Sequence, residues 1–158
     1  MGPGQIEMVE VAPRDGLQNE KTLIETADKI ALIERAIAAG SRRIEVTSFV
    51  NPKAVPQMAD AEAVCEGLPE RNDVTFIGLV MNARGATRAL ATGRIDQLGA
   101  VAVSTDSFAM ANQGQTSDGS VDAAKEIIAL SQAAGKTGQV TIGASFGCPF
   151  EGEVAQDR

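Results

Sequence analysis

Histidine is absent from all 158 residues of this chain. The chain alone therefore cannot complete a His-based catalytic triad, a histidine zinc site or a histidine acid–base relay. Tryptophan and tyrosine are also absent and aromatic residues make up only 3%, which disfavours a base-stacking platform or a large aromatic interface. The 14 basic residues are outnumbered by 21 acidic ones, for a net charge of −7. Binding to nucleic-acid phosphates is therefore not expected.

Long hydrophobic runs and cysteine pairs are also lacking. No apolar run approaches the length of a membrane span, and the first residues lack a basic stretch followed by an apolar one. The two cysteines, Cys65 and Cys148, lie far apart in the sequence, which suits a reducing compartment better than a disulfide scaffold. We therefore expect a cytoplasmic protein without membrane partners.

The sequence alternates short apolar runs with longer amphipathic ones. Strands are predicted at residues 6–11, 43–47, 74–80, 97–103 and 139–144. Helices are predicted at residues 22–39, 59–66, 83–92 and 120–134, with a loop or ragged helix start at residues 113–119. Strands that alternate with helices are typical of βαβ units on a parallel sheet.

The helix predicted at residues 22–39 has the clearest pattern. Its buried face is expected to consist of apolar residues three or four positions apart: Leu23, Ala27, Ile30, Ile33 and Ile37. Thr22 and Glu25 predict a capping box at its start, and Gly40 predicts its end.

Two architectures fit this pattern, an open doubly wound sheet and an arc of a (β/α)₈ barrel. A dinucleotide-binding doubly wound sheet would have a glycine-rich turn after the first strand, whereas residues 12–21 read APRDGLQNEK. This turn favours the barrel, as its first five β/α units with parallel strands. A complete barrel typically needs about 250 residues. Residues 1–158 are therefore expected to be the N-terminal part of one TIM-barrel catalytic domain that stops after the fifth strand.

Functional groups of such barrels lie just after the strands. The candidates at these positions are Arg14, Asp15, Glu45, Ser48, Asn82, the segment 104–107, which begins with Ser104, and Cys148. An adjacent arginine and aspartate could stabilise an oxyanion and bind Mg²⁺ or Mn²⁺, or could form an ordinary surface pair in a turn. Glu45 could face the barrel mouth or solvent. Cys148 is more typical of a buried thiol than of a nucleophile.

Three segments carry a more specific signal. EVAPRDGLQNEK at residues 10–21, VTSFVNPKAVPQMAD at residues 46–60 and FGCPFEGEV at residues 146–154 resemble signatures of the 3-hydroxy-3-methylglutaryl-CoA lyase family. They occur in the family's order and spacing, and the similarity extends over essentially the whole chain.

This resemblance implies a metal-dependent retro-Claisen cleavage of 3-hydroxy-3-methylglutaryl-CoA to acetyl-CoA and acetoacetate, a reaction of leucine catabolism and ketone-body formation. By position, Asp15 would bind Mg²⁺ or Mn²⁺ and Arg14 would stabilise the thioester enolate. Glu45 would also act in catalysis. Gln18, Asn82 and Ser104 would join Arg14 in binding the acyl-CoA substrate. Homo-oligomer formation is left open.

The departures from the family pattern limit this expectation. The family's His-x-His metal ligands, a further asparagine ligand and a catalytic cysteine in a later loop have no counterpart here. Met110 and Ala111 stand where basic residues are common, and Ala12 replaces a usual glycine. We therefore expect an incomplete site with little or no turnover. Two alternatives stay open: a catalytically silent half-barrel, alone or self-associated, and a Claisen-condensing acyltransferase resembling isopropylmalate synthase.

Overall fold

A computed structural model describes residues 6–158 and contains one parallel sheet. Its strands, in spatial order, are β1 (Arg43–Ser48), β2 (Thr75–Leu79), β3 (Gln97–Val103) and β4 (Thr137–Gly143). The α-helices are α1 (Thr26–Ala38), α2 (Ala61–Glu66), α3 (Ala83–Ala91), α4 (Asp106–Gln113) and α5 (Ser117–Ala133). A π-helical turn covers Ala12–Gly16 and a 3₁₀ turn covers Pro56–Met58. None of these helices has the length and apolarity needed to cross a bilayer.

The core lies between the helices and one face of the sheet. Ile44 of β1 and Leu98 of β3 are fully buried there, together with Ile33 of α1, Val64 of α2 and Ile127 of α5. Burial of each such side chain contributes about 1.5–3 kcal/mol to folding. The strands β1 to β3 are buried along nearly their whole length, as expected for parallel strands covered on both faces.

The first predicted strand is wrong as a continuous element. Residues 6–11 contain only one isolated parallel bridge, between Glu10 and Ile44. The Glu10 amide donates to the Arg43 carbonyl at 2.9 Å, and the Glu45 amide donates to the Glu10 carbonyl at 2.8 Å. Three of the four apolar residues of the segment, Ile6, Met8 and Val11, are exposed. The segment therefore does not form a continuous strand, because the described chain does not bury these apolar side chains.

α1 begins later than predicted, and the predicted capping box does not form. Gln57 of the 3₁₀ turn holds the preceding segment outside the helix: its Nε2 donates to the Thr22 carbonyl at 2.9 Å and its Oε1 accepts from the Ile24 amide at 3.0 Å. The helix consequently begins at Thr26, and Glu25 precedes it without a side-chain capping bond. A tertiary contact thus overrides a local sequence signal. The helix end was predicted correctly, since Gly40 has a φ of +107°.

One helix was not predicted. α4 lies at residues 106–113, where no helix was predicted, and α5 begins at Ser117 rather than at residue 120, within the segment 113–119 expected to be a loop or ragged helix start. Thr116 accepts a hydrogen bond from the Gly119 amide at 3.1 Å and so caps α5. α4 buries only Ala109 among its own residues. Its sequence therefore shows too weak an amphipathic pattern to be recognised.

Within residues 6–158 the sheet remains open at β4, which pairs there only with β3. Val140 and Ile142 on this edge are exposed, the latter by 62%. An open parallel sheet flanked by helices is the geometry expected for an arc of a barrel. The four strands, with the Glu10 bridge in the position of a further strand, correspond to the predicted partial (β/α)₈ barrel.

Candidate functional site

Arg14 lies in the π-helical turn that follows the Glu10 bridge. In this turn the Asp15 amide donates to the Val11 carbonyl at 2.7 Å, and Pro13 is buried beneath it. The turn reverses the chain just after the edge of the sheet. Consequently the Arg14 side chain is only 15% exposed, although it belongs to a connecting segment.

The Arg14 guanidinium joins two carboxylates. Its Nε donates to Glu45 Oε1, and its Nη1 donates to Asp15 Oδ1 at 2.7 Å. The Glu45 side chain is 6% exposed, whereas that of Asp15 is 57% exposed. The guanidinium thus connects a buried acid on β1 to an acid open to solvent. Arg14 and Asp15 are therefore not a simple surface pair, because Arg14 is also bonded to the buried Glu45.

The Glu45 side chain is buried rather than exposed to solvent, which excludes a solvent-facing position. Burial raises the pKa of its carboxyl group above the ordinary 4.5, and the nearby Arg14 charge and hydrogen bond only partly oppose this. The carboxylate packs close to β3, since a Cβ at Gly99 would lie 3.4 Å from Glu45 Oε2, an ordinary contact. Removal from water disfavours the charged form of a carboxyl group, and the guanidinium favours it.

A groove of about 900 Å³ opens above this group. Arg14, Asp15, Gln18 and Asn82 line it, so four of the predicted site residues share one surface. Gln18 is held from β1, because the Ser48 hydroxyl donates to Gln18 Oε1 at 3.3 Å. A groove of this size is within the range of small-molecule and cofactor sites.

Asn82 and Ser104 are engaged by the backbone. Asn82 Oδ1 accepts from the Gly85 amide at 2.9 Å and caps α3, which leaves its amide nitrogen to face the groove. Ser104 does not line the groove, and its hydroxyl donates to the Gly143 carbonyl at 2.8 Å. Their substrate-binding roles stay predictions, and for Ser104 the geometry offers no support.

A metal ion would find few ligands in this part of the chain. Residues 6–158 contain no group of three acidic or cysteine side chains that could hold one. Asp15 Oδ1 is bonded to Arg14, and its other carboxylate oxygen has no hydrogen-bond partner among the described residues. One exposed carboxylate is a suitable hard oxygen ligand for Mg²⁺ or Mn²⁺, but it is only one ligand of the several that such an ion requires. The described residues therefore supply only part of the ligand set that a metal site requires.

A second arginine on the groove wall, Arg88, was not predicted. Arg88 of α3 lies over the Phe49 ring, with its guanidinium carbon 5.7 Å from the ring centre. It also donates to both carboxylate oxygens of Glu62 at 2.8 and 3.0 Å and to the Val50 carbonyl at 3.2 Å. These residues come from three separate segments. No spacing rule could have paired them in advance.

Gly85 marks a close approach between α3 and the loop after β1. A Cβ at Gly85 would lie 2.8 Å from the Phe49 carbonyl oxygen. Alanine normally favours a helix over glycine by about 0.5–1 kcal/mol, but overpacking against backbone costs about 1–3 kcal/mol. We expect Gly85→Ala to lower the free energy of unfolding by about 1 kcal/mol in urea denaturation. In Gly16→Ala the new Cβ would have only an ordinary contact, 3.6 Å from Ala12 Cβ. A stability gain in Gly85→Ala would contradict the clash.

Both cysteines lie away from the groove. Cys65 is buried on α2, and burial raises the pKa of its thiol to about 12, which makes it unreactive. Cys148 is buried in the loop after β4, where its sulfur accepts a hydrogen bond from the Thr105 hydroxyl at 3.1 Å. Its own burial works against the thiolate, but hydrogen bonds from Thr105 and from the Phe150 and Glu151 amides lower the pKa below its ordinary value.

The fold and this site define part of a parallel α/β barrel with an arginine–carboxylate group where β1 and its preceding segment meet. The sequence profile of the HMGL-like family matches residues 5–157. The chain belongs to the HMGL-like family, which confirms the relationship indicated by the three motifs.

Individual relatives agree with this assignment. The chain is 41% identical over 169 residues to (R)-citramalyl-CoA lyase of Chloroflexus aurantiacus, covering 97% of this chain and 51% of the relative. It is 38% identical over 152 residues to the 3-hydroxy-3-isohexenylglutaryl-CoA/hydroxy-methylglutaryl-CoA lyase of Pseudomonas aeruginosa, covering 96% and 50%. The chain thus spans about half the length of the curated relatives it matches.

A solved structure confirms the partial barrel. An HMG-CoA lyase from Acinetobacter baumannii, in complex with coenzyme A and 3-methylmalate, superposes with a TM-score of 0.88 at 37% identity. The match covers 94% of this chain and 48% of that one. The described arc therefore has the geometry of one half of a lyase barrel.

Proposed function

We propose that this chain supplies the arginine–carboxylate part of an acyl-CoA lyase active site. The reaction is the metal-assisted retro-Claisen cleavage of 3-hydroxy-3-methylglutaryl-CoA to acetyl-CoA and acetoacetate. The observation that carries the proposal is the Arg14 guanidinium, fixed by buried Glu45 at the floor of a groove that also exposes Asp15.

The chemistry needs a fixed cation near the thioester. A base removes the proton of the C3 hydroxyl, the bond between C2 and C3 breaks, and its electron pair moves to the thioester carbonyl as an enolate. A pre-positioned guanidinium stabilises that oxygen more in the transition state than in the substrate. Arg14 can do this because one edge of its fork is held by the protein.

Glu45 acts in this proposal through Arg14. Its carboxylate accepts the Nε hydrogen and so fixes the plane of the guanidinium, whose Nη1 is bonded to Asp15 and whose Nη2 has no hydrogen-bond partner among residues 6–158. This makes Glu45 a positioning residue rather than a group that contacts the reacting atoms. Its burial also keeps water away from the pair, which strengthens the interaction.

Asp15 is the residue of this chain that would bind the divalent ion. When bound, Mg²⁺ or Mn²⁺ polarises the substrate's hydroxyl and acidic oxygens. Asp15 would contribute one exposed carboxylate oxygen, and its hydrogen bond from Arg14 would keep the two groups next to each other. No acidic or cysteine side chains among residues 6–158 join Asp15 in a group of three that could hold the ion.

The acyl group is the least constrained part of the proposal. Gln18 and Asn82 offer amides to a polar acyl chain, and Ser104 is retained only on its position in the sequence. The Chloroflexus relative is named for citramalyl-CoA and the Pseudomonas relative for glutaryl-CoA derivatives. Citramalyl-CoA is therefore the second candidate substrate, and its cleavage would release pyruvate instead of acetoacetate. The relatives described above are lyases, so the condensing acyltransferase gains no support.

Turnover and binding should be measured separately on this chain. We expect it to bind both acyl-CoA thioesters but to release acetoacetate or pyruvate near background with Mg²⁺ or Mn²⁺, because one carboxylate does not hold such an ion tightly. Titration calorimetry and product assays would check this, with Arg14→Met as the matched variant. Rapid turnover would show that the site is complete and would exclude the silent half-barrel. Absence of binding to either thioester would contradict the proposal.

The biological setting follows only from the proposed reaction. A role in leucine catabolism and ketone-body formation, a cytoplasmic location and an acyl-CoA as the main partner are part of this proposal. Assembly into a homo-oligomer stays an untested prediction. The proposed chemistry does not depend on any of these predictions.

A further inference from the structure

The groove has the opposite charge balance to the rest of the chain. Acidic residues outnumber basic ones by 21 to 14 in the sequence, yet the groove is lined by three arginines and one carboxylate. Side-chain amides complete the polar lining: Gln18, Asn19, Asn51, Asn82, Asn112 and Gln113. Such a lining favours an anionic ligand with many hydrogen-bond acceptors.

The three arginines are not equivalent. Arg14 is bonded to Glu45 and Asp15, and Arg88 is bonded to both oxygens of Glu62. Arg84, the second residue of α3, is exposed and forms no ion pair with any carboxylate in residues 6–158. Its guanidinium is therefore the one on this groove whose charge the described chain leaves uncompensated.

The α4 residues that line the groove supply no further cation. Asn112 and Gln113 of α4 line the groove with amides, and the Gln113 amide nitrogen already donates to the Val101 carbonyl at 3.2 Å. Arg84 on α3 would consequently be the cation available to an anion that enters the groove. The helix fixes the Arg84 backbone, so that only the side chain must be ordered when a ligand binds.

We propose that Arg84 binds a phosphate group of the coenzyme A part of the substrate. This inference rests on the proposed function, since it deepens the description of the same groove. A guanidinium forms two parallel hydrogen bonds to a phosphate, which gives both affinity and orientation. Arg84 would hold the nucleotide end of the thioester while Arg14 faces the reacting end. Arg84 is thus a substrate-binding residue that the motifs alone did not single out.

Binding of coenzyme A, 3′-dephospho-coenzyme A and pantetheine to the whole chain tests this. We expect Arg84→Gln to weaken coenzyme A binding by roughly tenfold in calorimetry and to leave pantetheine, which has no phosphate, unchanged. Arg84→Lys should recover part of the loss, since it keeps the charge. A loss that persists with 3′-dephospho-coenzyme A assigns the contact to the diphosphate, and one that disappears assigns it to the 3′-phosphate.

Arg35→Gln is the matched control. Arg35 is an exposed arginine of α1 that does not line the groove, and its replacement changes the net charge equally. Equal binding by Arg84→Gln and the unmodified chain would overturn this inference while the proposed function stands. So would an equal loss in Arg35→Gln, since the effect would then be one of overall charge. If the unmodified chain bound neither coenzyme A nor pantetheine, the proposed function and this inference would both fall.

Discussion

Replacing Arg14 with methionine is expected to lower the free energy of unfolding at pH 7 by about 3 kcal/mol. Methionine keeps much of the side-chain volume but leaves the Glu45 carboxylate, 6% exposed, without its only cationic partner among the described residues. An uncompensated buried charge is among the few changes that destabilise a protein this strongly. Urea denaturation of the variant and the unmodified chain would measure the difference.

A double-mutant cycle separates the ion pair from the loss of packing. Glu45→Gln alone should cost less, about 1 kcal/mol, because Arg14 stays partly exposed and keeps Asp15 as a partner. Combined with Arg14→Met, it should recover most of the lost stability, since no charge is then buried. Additive losses in the double variant would contradict a direct interaction between the two side chains.

The contribution of Glu45 to the free energy of unfolding should change with pH in one direction. The pKa of Glu45 is raised in the folded state above its ordinary 4.5, so the folded chain binds this proton more tightly than the unfolded one. The contribution of Glu45 to stability therefore falls as pH rises from 4.5 through the raised folded pKa. In Arg14→Met the opposing charge is gone, so the pKa should rise further and the penalty should shrink toward acidic pH. A penalty independent of pH would contradict this account.

Replacing Lys29 with methionine is expected to cost about 2–4 kcal/mol. The lysine is 4% exposed, lies 2.7 Å from Asp60 Oδ1 and also donates to the Gln57 carbonyl. Its removal leaves the Gln57 carbonyl without this donor and leaves Asp60 with only the Thr26 hydroxyl, at 2.7 Å. Thermal or urea denaturation would measure the loss.

Lys125 provides the matched control for this change. It pairs with Asp122 at 3.0 Å, but its side chain is 72% exposed, and an exposed pair of this kind contributes little. Lys125→Met should therefore change stability by less than about 0.5 kcal/mol. Similar losses in the two variants would show that burial of Lys29 is not the source of its effect.

Lys29 is also a buried residue that helical periodicity did not predict. The pattern placed Leu23, Ala27, Ile30, Ile33 and Ile37 on one buried helical face. Ile33 and Ile37 are indeed buried and Ile30 is half-buried, but Leu23 and Ala27 are exposed, and Leu23 lies before the helix begins. Lys29 occupies a buried position because Asp60 and the Gln57 carbonyl meet it there. Those partners are about 30 residues away in the sequence, and a helical pattern contains no information about them.

The candidate site likewise contains residues that the sequence predicted and residues that it did not. Motifs and positions after the strands selected Arg14, Asp15, Gln18 and Asn82, and the structure brings these four to one groove. They could not select Arg84 or Arg88, whose importance depends on which carboxylates lie near them. Ser104 was selected by position alone, and in the structure its hydroxyl donates to the Gly143 carbonyl and does not line the groove. A position just after a strand therefore does not by itself decide where a side chain lies.

The family, the parallel βαβ order and the segment that carries Arg14 and Asp15 can be read from the sequence, because these depend on local pattern and on motifs along the chain. Which acid the arginine contacts depends on the tertiary structure. Glu45 lies 31 positions away, and the π-helical turn and the Glu10 bridge bring its carboxylate to the guanidinium. Charge compensation depends on distance in space, and that distance is set by packing of the sheet.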